Sequence, residues 1–205
     1  MAPMVSVDRM LWVYSRPACT CLTEESERVE TSSVETVVLV DADDREIGRV
    51  EKLEAHRQGL LHRAFSVFIL NDGGQLLLQR RSRTKYHSGG LWTNTCCSHP
   101  RPAEEVIPAA RRRLREEMGI DAELTAHFTF IYEARLDSGL TEHELDHVLV
   151  GRYQGDPSPD PAEVEGWWWV GLAEVEEDIE RRPEAYTIWF KLALPKLLTL
   201  LRAES

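Results

Sequence analysis

Apolar residues recur at two spacings along this chain, and the change from one to the other outlines the fold. Glu35-Thr36-Val37-Val38-Leu39-Val40-Asp41 is a β-branched run closed by a turn over residues 41–45. Residues 64–70 and 75–80 are apolar runs on either side of Asn71-Asp72-Gly73-Gly74, the pattern of two strands joined by a tight turn. Residues 104–118 predict a helix stopped by Gly119. Strands recur at 122–133, 145–153 and 166–170, the last written Gly166-Trp167-Trp168-Trp169-Val170. Residues 172–181 and 183–201 close the chain as helices. Strands, a central helix, more strands and closing helices predict an α+β chain folded as an αβα sandwich.

Ahead of this pattern, residues 1–34 show no sustained period and predict a poorly ordered extension; residues 35–205 form the single domain that a 205-residue chain suggests. The formal charge of −11 excludes a general nucleic-acid binder, and an anionic small molecule could bind only where the few Lys and Arg concentrate. No apolar run approaches the roughly 18 residues of a membrane helix. The four cysteines, in the close pairs Cys19/Cys21 and Cys96/Cys97, are poor disulfide material, so a cytoplasmic protein without membrane or nucleic-acid partners is expected.

Three clusters carry chemistry. Trp92-Thr93-Asn94-Thr95-Cys96-Cys97-Ser98-His99-Pro100 places a thiol and an imidazole two residues apart. Glu142 and Glu144 share a strand face, where two carboxylates repel unless a cation or a proton lies between them. With His56, His62 and His99 they would form a mixed N/O site for Mn²⁺, Mg²⁺ or Zn²⁺ with a sixth position open. Arg81, Arg83 and Lys85 share a face if their strand continues, and such a cluster suits a diphosphate. Taken singly, each has a plainer reading: packed thiols, core or surface histidines (His87, His127, His143 and His147 make histidine common here), and a solvated charge run.

The helical segment joins these clusters. Glu104, Arg112, Leu114, Glu116, Glu117, Gly119 and Ile120 fit the spacing of a Nudix box, with Ser98 in place of its first glycine and Arg113 in place of a glutamate. That box with Leu91-Trp92-Thr93-Asn94, Cys97-Ser98-His99-Pro100, Glu142-His143-Glu144 and Tyr186-Thr187-Ile188-Trp189-Phe190 resembles the type 1 isopentenyl diphosphate isomerases. The resemblance spans residues 35–200 and implies a Nudix-like sandwich with a mixed sheet. It also implies interconversion of isopentenyl and dimethylallyl diphosphate through a carbocation-like species. On matching positions it implies Cys97 and Glu144 as the catalytic pair, with Tyr132 and Trp189 in support. His56, His62, His99, Glu142 and Glu144 match metal ligands, Lys52, Arg81, Lys85, Ser98 and Arg113 match substrate-holding positions, and Glu117 matches a position linked to Mg²⁺ carried by the diphosphate. Cys-X-His-Pro spacing selects Cys97 over Cys96. The segment preceding His56 and the helix carrying Trp189 are expected to act as lids, on a monomer or weak homodimer. A nucleotide diphosphohydrolase and a non-catalytic metal-binding module are the rival readings.

Overall fold

The computed structural model describes residues 35–136 and 139–203, which fall within one compact unit, Val34–Ser205. The expectation for residues 1–34, including Cys19 and Cys21, lies outside the described residues. In chain order the elements are β1 (Thr36–Val40), β2 (Glu46–Glu51), α1 (Lys52–Gln58), β3 (His62–Leu70), β4 (Gln75–Arg81), β5 (Trp92–Thr93), β6 (Cys96–Ser98), α2 (Val106–Met118), β7 (Leu124–Arg135), β8 (Thr141–Arg152), β9 (Val164–Gly171), α3 (Leu172–Arg181) and α4 (Ile188–Ala203).

The sheet is mixed and centred on β3. β3 runs parallel to β8 over nine register pairs, His62↔Glu144 through Leu70↔Arg152, and antiparallel to β6. β7 pairs antiparallel with β8, and β4 with β9. The turn at 71–74 forms as its sequence predicts, but β3 and β4 pair only at Leu70↔Leu76 before splaying apart. Each then takes a different partner, which opens the sheet into two arms.

β3 is buried on both faces, which explains its unbroken apolar run. Phe65, Val67 and Ile69 pack with Leu114 and Met118 of α2; Phe68 and Leu70 pack with Phe190, Leu194 and Leu197 of α4. This is the αβα sandwich expected from the element order. The same alternation separates the adjacent cysteines: Cys96 packs in the α2-side core, and Cys97 borders the α4-side core.

Three local expectations need correction, and α1 and β2 were not foreseen. α2 begins at Val106, not Glu104, because the Glu104 carboxylate accepts from the Arg101 amide (2.9 Å) and from Arg112 (2.8 Å), bracing the turn before the helix. Residues 183–201 are not one helix: a 3₁₀ turn at Pro183–Ala185 is followed by extended Tyr186, which bridges to Trp92, and only then by α4. The segment holding His56 is helical, ending at Gly59 with φ 63°, a left-handed conformation that suits glycine. β4 ends at Arg81, so Arg83 does not share a face with Arg81; it turns outward to Glu165. β2 was not anticipated, since Glu-Ile-Gly-Arg-Val-Glu is mostly exposed. Among the described residues no helix is long and apolar enough to cross a membrane.

Candidate active site

The splay between β3 and β4 leaves a pocket of about 520 Å³, counting its mouth, between the start of β3, β6, β8, α2 and α4. Lys52, Arg81, Lys85, Cys97, Ser98, His99, Arg113, Glu117, Glu142, Glu144 and Trp189 all line it, so the structure brings together residues from across 138 positions of sequence. His56 and His62 lie just behind this wall, and Tyr132 reaches it through Glu144.

One side of the pocket is a buried cluster of imidazoles and carboxylates. β8 starts at Thr141, so Glu142 and Glu144 lie within the strand and project to the same face. His62, opposite Glu144 in the register, and His56 on α1 approach from the side. His56 Nδ1 donates to the Lys52 carbonyl (2.6 Å) and His62 Nδ1 to the Leu60 carbonyl (2.8 Å), which leaves both Nε2 lone pairs facing the carboxylates. His99 Nε2 lies 2.9 Å from Glu144 Oε1, and Tyr132 donates to Glu144 Oε2 at 2.6 Å.

Burial and the neighbouring Glu144 raise Glu142 to about 7, whereas the contacts of His62 and His99 outweigh burial and hold Glu144 well below the usual carboxylate range. Burial pushes His99 down to about 4, so its imidazole is neutral. His56 is raised because the contact with Glu142 outweighs its desolvation; the two groups compete for one proton.

This cluster fits a divalent cation. His56 Nε2, His62 Nε2, His99 Nδ1 and Glu142 Oε2 are buried with no hydrogen-bond partner. One ligand atom each from His56, His62, His99 and Glu144 lies within 4.8 Å of the others, and the same is true of His56, His87 and Glu142. Orphaned, converging polar atoms are costly unless a shared cation or proton satisfies them. Glu117 is not in this cluster: its oxygens accept from Arg113 (2.7 Å) and Gln79 (3.1 Å) on the opposite wall.

That opposite wall is cationic. Arg113 and Lys85 both pair with Glu163, a residue the sequence patterns did not single out. Burial and nearby Arg81 and Lys52 lower Lys85; Arg113 is raised by Glu117 and Cys96 despite burial. Arg81 lies with its guanidinium 5.3 Å from the Trp189 ring and its Nη1 3.7 Å from Cys97 Sγ. Burial raises the Cys97 thiol to about 12, so it sits protonated between the two walls.

The roof is tied to the thiol strand. Thr187, just before α4, donates at 2.8 Å to Thr93 Oγ1, which donates to Asn94 Oδ1; Asn94 in turn donates to the Cys96 and Val67 carbonyls. His87 and Tyr86 also line the pocket, yet the sequence reading passed over both. His87 was hidden among dispersed histidines, and only its place beside Lys85 hinted at the site.

The pocket thus combines a thiol, a carboxylate held below its usual range, a buried histidine–carboxylate cluster and a separate cationic wall, groups able to exchange protons with an anionic substrate. Residues 60–190 match the NUDIX domain family, and solved structures share the fold: the Deinococcus radiodurans protein DR0079 has a TM-score of 0.59 at 20% identity, covering 72% of this chain and 90% of that one. The MutT protein of Methanosarcina mazei has a TM-score of 0.55 at 20% identity, covering 66% and 91%. The chain is therefore a Nudix-family protein. Within that class, curated relatives named isopentenyl-diphosphate Delta-isomerase are 54% identical in Aromatoleum aromaticum (79% of this chain, 92% of that protein) and 52% identical in Burkholderia multivorans (76% and 89%). The chain belongs to the isopentenyl-diphosphate Delta-isomerase family.

Proposed function

We propose that the protein interconverts isopentenyl and dimethylallyl diphosphate, using Cys97 and Glu144 as the two proton-carrying groups. The observation that carries this reading is their common pocket, with an acid box helix whose carboxylates are already committed to arginines. Lys52, Arg81, Lys85 and Arg113 hold the diphosphate by charge-assisted hydrogen bonds, which places the hydrocarbon between the thiol and the carboxylate. Ser98 adds a hydroxyl beside them, and Glu117, on the same wall, would hold the Mg²⁺ that accompanies the diphosphate.

One group of the pair donates a proton to the terminal methylene carbon. The other removes a proton from the carbon adjoining the diphosphate-bearing CH₂, so the double bond moves and the proton count is unchanged; the roles exchange in the reverse direction. Between these events the tertiary carbon is positive. Trp189 presents a ring to it, worth about 2 kcal/mol when desolvated. Tyr132, 2.6 Å from Glu144, orients that carboxylate toward the alkene. Thr187 and Thr93 keep α4 over the pocket and so keep out water, which would trap the cation as an alcohol.

His56, His62, His99, Glu142 and Glu144 would hold a divalent cation, Mn²⁺, Mg²⁺ or Zn²⁺, and its charge would keep the buried carboxylates ionised and fixed. The described cysteines, Cys96 and Cys97, are free thiols, which supports a reducing, cytoplasmic setting.

Incubation with isopentenyl diphosphate and Mg²⁺ tests the reading. The expected product is dimethylallyl diphosphate with no phosphate released. Release of phosphate from that substrate or from nucleoside diphosphates, with no allylic product, would instead make the protein a hydrolase.

A further inference from the structure

Five protein ligands leave one position open on a six-coordinate cation. We infer that His87 fills it, so that the cation is enclosed by protein; this rests on the cation site proposed above and extends it by one residue. His87 Nε2 lies 3.4 Å from Glu142 Oε1, too long for a good hydrogen bond, while Glu142 Oε2 faces His56 Nε2 at 3.2 Å without forming one. Two imidazole nitrogens thus converge on Glu142, and the three groups meet the same 4.8 Å limit as the His62/His99/Glu144 group, with His56 common to both. A cation drawn to Glu142 from the shared His56 meets His87 on that side.

The chain is shaped to put this imidazole there. Between β4 and β5 the backbone folds back on itself: Ser88 has φ 51°, Gly90 has φ 79°, and the Gly90 amide bonds the Arg81 carbonyl at 2.9 Å. A side chain at Gly89 would start 2.9 Å from the Arg83 carbonyl oxygen, so only glycine permits the fold. A non-glycine residue held at positive φ beside a half-buried histidine is the strain expected where position matters more than comfort. His87 Nδ1 lies 3.3 Å from Ser88 Oγ; donating there leaves the Nε2 lone pair toward Glu142.

A site of four imidazoles and two carboxylates favours Mn²⁺ or Zn²⁺ over Mg²⁺, which prefers oxygen donors and retains water. It also leaves no coordinated water beside the reacting alkene. His87 therefore serves the chemistry by closing the cation's shell, without touching substrate.

Mn²⁺ titration of the metal-free wild type, H87A and H87Q provides the test, with electron paramagnetic resonance reporting affinity and water-proton relaxation reporting inner-sphere water. The wild type should bind Mn²⁺ with no exchangeable inner-sphere water. Both variants should bind about 10–100-fold more weakly and gain a coordinated water, with metal-free melting temperatures unchanged. Equal affinity and equal relaxation in all three proteins would overturn the role of His87 while leaving the five-ligand site standing. If the wild type binds no Mn²⁺, the cation site itself fails and His87 with it.

Discussion

Two acidic stretches border the pocket, and they differ in what neutralises them. On α2, Glu116 and Glu117 are matched by Arg112 and Arg113 at contacts of 2.7–3.2 Å, one of the arginines standing where a Nudix box carries another glutamate. On β8, Glu142 and Glu144 meet buried imidazoles whose Nε2 or Nδ1 atoms lack partners. Guanidinium pairing satisfies the helix carboxylates and leaves that wall cationic, as the proposed diphosphate clamp requires. The orphaned ring nitrogens fit the strand carboxylates to the cation and proton role proposed for them. The fold thus keeps the box helix with its carboxylates paired, while the unpaired imidazoles gather around the carboxylates of β8.

The comparison breaks first at the thiol facing β8. Cys97→Ala should lower kcat on isopentenyl diphosphate by about a thousandfold or more, because a proton-carrying group is removed. Its melting temperature should stay near wild type, since Cys97 is only partly buried. Retained turnover would shift the chemistry away from the thiol.

On the clamp wall a different signature is expected. Arg113→Ala should raise KM by about 10–100-fold with a smaller change in kcat, the mark of an interaction made equally in ground and transition states. A pure kcat loss would place Arg113 in the chemistry instead.

The roof offers a third contrast. Thr187 and Thr93 are fully buried, and their hydroxyl pair fixes α4 over the thiol strand. Thr187→Ala should reduce kcat about tenfold, the cost of one lost buried hydrogen bond at the roof, and divert product toward the hydrated tertiary alcohol. Thr187→Ser should restore both. Unchanged product partition would mean that the pair only stabilises the fold.

The smallest effect lies outside the pocket, at a carboxylate of the ordinary kind. Asp178 accepts from Arg182 (2.6 Å) and Tyr186 (2.7 Å), and those bonds lower its pKa. A depressed folded-state pKa stabilises the protein above the unfolded value near 3.9 and ceases to do so as pH falls through the folded value. Asp178→Asn should lower the melting temperature by about 2–4 °C at pH 7, with the gap closing in acid below that range.

Much of this was legible in the sequence where one residue type carries one role. Gly119 ended α2, the period-2 spacing put Glu142 and Glu144 on one face, and Cys-X-His-Pro chose between adjacent cysteines whose strand then separated them physically. The unread parts depend on tertiary context. The seven-residue α1 has no side-chain cap and too few turns to announce itself, yet it carries His56. Arg83 left the clamp because β4 stops where β5 and the loop back to Glu163 take over its hydrogen bonds. His87 and Glu163 contact neighbours 50 or more residues distant, Glu142 and Arg113, which no local spacing encodes.

The central claim, that proton chemistry resides on the Cys97–Glu144 pair and not on the box helix, is tested most directly by reacting isopentenyl diphosphate in deuterated water. Wild type, Glu144→Gln and Glu116→Gln are compared by following deuterium in substrate and product by NMR. Exchange and allylic product should persist in Glu116→Gln and vanish in Glu144→Gln. Exchange that survives in Glu144→Gln but is lost with Glu116→Gln would contradict the account.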